Sequence, residues 1–199
     1  GVSVVDATSV GIARDPLALA RISRATGVQI VMGGSYYVPL SHPPDMSERT
    51  EDSIFAEIVA DVTEGVGDTG IKTGVIGEVG NHLPMTANEA KVLRASARAQ
   101  AETGAPILIH PGFHKDSPVP IMEMLVSVGA DPKHVIFGHL SLCFDPSWIG
   151  DLADYGCYLE FDTFGLEWSG LAAAQTTGTT DFVVTNDDQP KASGRMEYE

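Results

Sequence analysis

Short apolar runs, rich in β-branched residues, recur along the chain at 2–6, 29–33, 74–78, 106–110, 134–139 and 158–162. Each is apolar almost throughout instead of alternating with polar positions. That pattern suits strands buried on both faces, as in a parallel sheet covered by helices. Helical signals lie between the runs. Asp15-Pro16 is a cap followed by proline at the first helical position, and Leu17, Leu19, Ala20 and Ile22 follow before Gly27. Thr86-Ala87-Asn88-Glu89 is a capping box that opens an alanine-rich helix running to about Gly104. Asp145-Pro146 opens another, ending near Gly156. The order is βαβα, with strand runs about 23 to 45 residues apart. A doubly wound sheet and part of an eightfold (β/α)₈ barrel both fit this spacing.

The ionisable residues favour the barrel. Asp6, Glu78, His110, His139 and Asp162 each close a strand run. In a (β/α)₈ barrel these positions converge on the face where such folds place their chemistry. His110 and His139 supply imidazole nitrogens and Glu78 a carboxylate, the mixed donor set that zinc and similar divalent ions accept. An ion there would bring the pKa of a bound water to roughly 7 and polarise a carbonyl or phosphoryl oxygen, which is hydrolytic chemistry. The bland alternative for any one of these histidines is a hydrogen-bonded core residue at a strand end. Two histidines and a glutamate on three successive strands favour the ion.

Composition narrows the partners. The 199 residues are 43% hydrophobic, enough for one domain with a sizeable core. Twelve basic residues against 27 acidic ones give a net charge of −15, which repels nucleic acid and anionic membrane surfaces alike. No apolar run approaches the roughly 20 residues of a membrane span. The expected partner is a small molecule. With Cys143 and Cys157 as the only cysteines, a disulfide framework is not expected, and a reducing, cytoplasmic setting is the simpler expectation. The chain opens inside an apolar run and stops at what reads as the first turn of a helix, so both ends are expected to be cut.

Several segments are recognisable. Gly11-Ile12-Ala13-Arg14-Asp15, Ile22-Ser23-Arg24-Ala25-Thr26-Gly27, Ile76-Gly77-Glu78-Val79-Gly80, Ile109-His110-Pro111-Gly112, Phe137-Gly138-His139 and Glu160-Phe161-Asp162-Thr163-Phe164-Gly165 occur in this order. Together they resemble the phosphotriesterase family of the amidohydrolase superfamily, in the subgroup of phosphotriesterase-related proteins. The resemblance implies a partial TIM barrel holding strands two through seven of eight, with strands one and eight missing from this chain. It implies two zinc ions per complete site, with manganese or cobalt as alternatives. Glu78 would bridge them, in the subgroup that uses glutamate where others carry a carboxylated lysine, and is the catalytic residue expected here. His110 and His139 would bind the more exposed ion. The second ion's His-x-His pair and aspartate, expected from strands one and eight, do not occur here, so this chain alone is expected to be inactive. The expected parent is a zinc-dependent hydrolase in which metal-bound hydroxide attacks an ester, lactone, amide or phosphoester bond, with a homodimer as the assembly expected at full length. The alternative is a catalytically silent barrel that binds a metal or small ligand as a scaffold or sensor.

Tyr36, Tyr37, His114 and Asp162 are the candidate substrate-binding residues. Against them stand tyrosine packing, a solvated loop histidine, and a carboxylate capping a loop amide. His42 and His82 are weaker candidates, His134 reads as structural, and Asp6 as a loop or helix anchor. Gly65-Val66-Gly67-Asp68-Thr69-Gly70 spells a dinucleotide fingerprint but follows a helix and precedes a strand, which inverts the required context. No lysine closes a strand run, which removes a Schiff-base aldolase. Residues 1–165 are expected to form the incomplete barrel, and 166–199 a long loop after strand seven with the start of a helix.

Overall fold

The computed structural model of the chain describes residues 1–141 and 146–164. Among them, six strands alternate with five α-helices. The strands are β1 (Ser3–Asp6), β2 (Gln29–Gly34), β3 (Val75–Gly80), β4 (Ile107–His110), β5 (Val135–Phe137) and β6 (Tyr158–Leu159). The helices are α1 (Pro16–Thr26), α2 (Glu51–Thr63), α3 (Ala87–Thr103), α4 (Pro118–Ser127) and α5 (Pro146–Tyr155). The long loop expected over 166–199, Cys143 and the Asp145 cap lie outside the described residues.

Every strand pairs in parallel with its neighbour in sequence, in the order β1-β2-β3-β4-β5-β6. The order never reverses. A doubly wound sheet has a switch point where it does, so the arrangement is a curled half-barrel wall with its helices outside.

The helix ends follow the sequence. The Asp15 carboxylate accepts from the Ala18 N–H at 2.9 Å, and α1 stops at Gly27, whose φ of 76° is left-handed. Thr86 and Glu89 close a complete capping box on α3, which ends at left-handed Gly104. Helix α2 is not among the helical signals above. Thr50 caps it by accepting from the Ser53 N–H at 3.1 Å, Glu51 and Asp52 occupy its first turn, and Ile54 and Ile58 are its buried stripe. Helix α4 begins at Pro118 and buries Ile121, Met122 and Leu125.

The core lies between β3, β4 and β5 and helices α2 to α4, where Ile76, Ile107, Ile109 and Phe137 meet Val92, Leu93, Ile121 and Leu125, all at most 1% exposed. The β1–α1 unit contributes little. α1 has no buried residue, and Val4 and Val5 of the edge strand remain 47% and 57% exposed.

Strand bounds depart from the sequence pattern at the functional end. β3 continues past Glu78 to Gly80, while β5 and β6 stop at Phe137 and Leu159, short of His139 and Asp162. The β3 register against β4 jumps from Ile76↔Ile107 to Val79↔Ile109, three steps against two. This bulge inserts an extra residue and re-aims the side chains beside it, which places Glu78 within the strand.

Candidate metal centre

Glu78, His110 and His139 converge on one point. One ligand atom of each lies within 4.8 Å of the others. Glu78 Oε1 is 2.8 Å from His139 Nε2 and 3.9 Å from His110 Nδ1. The two imidazoles meet edge to face with centroids 5.1 Å apart. The loop after β1 holds the Glu78 backbone: its N–H donates to the Ala7 carbonyl at 3.0 Å, and the Ser9 hydroxyl donates to its carbonyl at 2.7 Å.

His139 depends on its neighbours. Its φ of 57° is left-handed, uncommon for a residue with a Cβ. A Cβ on Gly138 would sit 3.3 Å from Glu160 Oε2 and 3.6 Å from Glu78 Oε1, so glycine leaves the carboxylates room. Asp162 lies 2.8 Å from His139 Nδ1 and accepts the His139 main-chain N–H at 3.1 Å. That contact turns Nε2 towards Glu78. A carboxylate behind a histidine in this way fixes the ring of a metal ligand.

The charges are divided. The hydrogen bond to Glu78, helped by Asp162, raises the His139 pKa to about 9. Burial lowers that of His110 to about 4, so its ring is neutral at physiological pH. A proton and a divalent ion compete for the same His139 lone pair, so cation binding releases the proton. Glu160, two residues before Asp162, is pushed up by partial burial and by the Asp162 and Glu78 charges.

The donors fit a divalent ion. Two imidazole nitrogens and one carboxylate oxygen are a set zinc accepts, and ligand bonds of about 2.0–2.1 Å put donors of one ion within about 4.2 Å of each other. Both contacts to Glu78 meet that limit. Two aromatic rings flank His110: Tyr37, with its hydroxyl 3.3 Å from Nδ1, and Phe113, edge-on with centroids 5.6 Å apart. Sequence reasoning missed Phe113. Its only signal was position, three residues past a strand-ending histidine.

Of the adjacent tyrosines, the structure brings Tyr37 and not Tyr36 to the triad. Tyr36 is 1% exposed in the core, its hydroxyl bonded to Glu57 and Arg49. His114 lies in the loop after β4, where its Nδ1 accepts the Asp116 N–H at 3.2 Å. His42 donates from Nε2 to the Tyr37 carbonyl at 2.8 Å, bracing the loop that presents Tyr37. His82 Nδ1 pairs with the fully buried Glu89 at 2.7 Å. Asp6 accepts the Thr8 N–H at 3.0 Å, as a loop anchor does.

The sequence model of the phosphotriesterase family matches residues 1–176. A phosphotriesterase-related protein of Nematostella vectensis is 43% identical over 168 residues, covering 84% of this chain and 48% of its own length. An N-acetyltaurine hydrolase of Dictyostelium discoideum is 43% identical over 170 residues, 85% of this chain and 46% of that protein. The chain thus spans about half the length of the curated relatives it matches. Among solved structures, a resiniferatoxin-binding protein from Rhodobacter sphaeroides superposes with a TM-score of 0.79 at 41% identity, over 83% of this chain and 46% of that one.

Proposed function

This chain belongs to the phosphotriesterase family, and from that membership we propose that it carries one ion site of a divalent-metal hydrolase that cleaves the amide bond of a small N-acyl substrate. The observation that carries the proposal is the convergence of Glu78 from β3, His110 from the end of β4 and His139 from the turn after β5. The amide assignment rests on similarity to a relative named N-acetyltaurine hydrolase. The six strands are taken as strands two through seven of the eightfold barrel, with the barrel portion at 1–165 and the loop after strand seven at 166–199.

In this proposal Glu78, His110 and His139 would hold zinc, with manganese or cobalt as substitutes, and Glu78 would be the carboxylate shared with a second ion. A bound divalent ion supplies an acidified water and a Lewis acid for the scissile carbonyl. The chain's own residues do the rest. Asp162 keeps His139 Nε2 aimed at the site. Tyr37 and Phe113 wall His110 on the substrate side. Burial and the Glu78 charge push the Tyr37 pKa up to about 12, so its hydroxyl stays protonated and can donate to a substrate oxygen. His114, in the loop after β4, would meet the end of the substrate away from the scissile bond. No helix among the described residues is long and apolar enough to cross a membrane. A cytoplasmic homodimer acting on a small molecule completes the proposal.

The test uses full-length protein carrying this chain. Zinc content and turnover are measured on N-acyl taurines and N-acyl amino acids beside lactones, aryl esters and a phosphotriester. Preference for the N-acyl amides, with metal and turnover both lost in Glu78→Ala, supports the proposal. Retained turnover in Glu78→Ala overturns it, and preference for another bond overturns the amide assignment. The similarity to a protein named for binding resiniferatoxin favours a second reading, a barrel that binds without turning over. Tight zinc binding with no hydrolysis across the panel would establish that one.

A further inference from the structure

Helix α1 lies over β2 without burying a single residue. Leu19 and Ser23, like Ala20 and Arg24, are four residues apart, so all four share one helical stripe. Ile30 and Met32 alternate on one face of β2. With Ile71 and Lys72, in the segment leading into β3, these residues line a cavity of about 270 Å³. It opens beside the start of β2 and the approach to β3, at the opposite end of the strands from His110 at the end of β4.

The lining has two parts. Leu19, Ala20, Ile30, Met32 and Ile71 make an apolar floor, and the Ser23 hydroxyl is already committed to the Val28 carbonyl at 2.7 Å. That leaves the Arg24 guanidinium and the Lys72 ammonium as the polar groups of the cavity. Neither has an acidic partner among the described residues. Arg14, Arg49, Arg94 and Arg98 each hold a carboxylate. Arg24 and Lys72 therefore form an exposed cationic rim on one apolar cavity in a chain with 27 acidic and 12 basic residues.

We propose that the α1–β2 cavity binds a small amphipathic anion of about ten heavy atoms in all, an apolar tail carrying one carboxylate, sulfonate or phosphate. The volume corresponds to roughly nine water molecules at ~30 Å³ each, which sets the size. Arg24 and Lys72 take the anionic head through charge-assisted hydrogen bonds, and the floor takes the tail. Net negative charge on the whole molecule weakens long-range attraction, so recognition comes from contact with these two cations. The site is separate from the metal centre and does not depend on the proposed hydrolysis.

Calorimetric titration of full-length protein with sodium octanoate, octane-1-sulfonate and octan-1-ol tests this. Both anions should bind, and the alcohol about tenfold more weakly, the scale of one charge-assisted hydrogen bond. Arg24→Ala/Lys72→Ala should weaken octanoate by at least about tenfold while hydrolysis is unchanged. Ala20→Phe, which fills the cavity and keeps both cations, should abolish binding. Wild-type octanoate affinity in the double variant overturns the proposal. So does loss of octanoate binding when metal is removed by a chelator, because the anion would then sit at the metal centre. Cosedimentation with phosphatidylglycerol vesicles that depends on Arg24 and Lys72 would also overturn it, in favour of a membrane surface.

Discussion

Replacing Asp162 by asparagine is expected to loosen the metal site while leaving the fold intact. The carboxylate accepts from two donors of one residue, the His139 main-chain N–H at 3.1 Å and the ring nitrogen Nδ1 at 2.8 Å. Asparagine keeps the shape, but only Oδ1 can accept, and its NH₂ would face one of the two donors. The ring then loses the negative partner that fixes which nitrogen points at Glu78. Losing a carboxylate behind a metal-binding histidine typically costs 10–100-fold in metal affinity, about 1.4–2.7 kcal/mol. The Asp162 side chain is 31% exposed, so folding stability should change by less than about 1 kcal/mol. Competition for zinc with a chromophoric chelator measures the first quantity, and thermal melting of the metal-free protein the second. Asp162→Ala should fall at the far end of the range. Zinc affinity within twofold of wild type in both variants would refute the idea that Asp162 orients His139.

Tyr37→Phe keeps the ring against His110 and removes the hydroxyl, so kcat/KM should drop by about tenfold, the loss of one hydrogen bond, with zinc content unchanged; equal kcat/KM would show the hydroxyl to be idle. Thr86→Ala removes the α3 cap and should cost about 1 kcal/mol, lowering Tm by roughly 2–4 °C; an unshifted melt contradicts the capping argument. The His82–Glu89 pair predicts a pH dependence of stability. The Glu89 contact raises the His82 pKa above 6.5, so this contribution is full below pH 6.5 and is lost as pH rises through the folded value. Despite complete burial, which pushes Glu89 up, its bonds to His82 and Thr86 leave it below 4.5, so its share is lost as pH falls through that lowered value. The stability gap between wild type and His82→Ala should therefore be greatest between about pH 4.5 and 6.5 and narrow at pH 9; a gap that widens with pH in denaturant titrations rules the linkage out.

Local signals with one dominant cause were legible in the sequence. Asp15-Pro16, the Thr86–Glu89 box and the glycines at 27 and 104 set the ends of α1 and α3 by backbone chemistry alone, and the structure keeps them. Helix α2 is harder to see because Glu51, Asp52, Glu57 and Asp61 break its apolar pattern, although Thr50 and the Ile54/Ile58 pair mark it. The triad was legible because its members are chemically unusual among apolar runs. Its fine geometry was not. The β3 bulge depends on pairing with β4, and the left-handed turn at His139 on the room beside Gly138. Tyr36 and Tyr37 look equivalent in sequence, and only packing sends one to the core and the other to His110.

The strictly sequential strand order has a consequence for biosynthesis. Since, among the described residues, β1 to β6 pair with their neighbours along the chain and with no other strand, each βα unit can dock on the one made before it while the ribosome is still elongating. Domains emerge at about 5–20 residues per second, so a unit spaced like these appears every few seconds, far slower than helix formation or loop closure in isolated segments. The growing sheet always presents one fresh, unsatisfied edge, ready for the next strand and equally for a stray one. A pause in translation within the stretch between β2 and β3 should therefore lengthen chaperone engagement more than a pause after β4, because it holds the loosely packed β1–α1–β2 segment open before α2 can pack on β2.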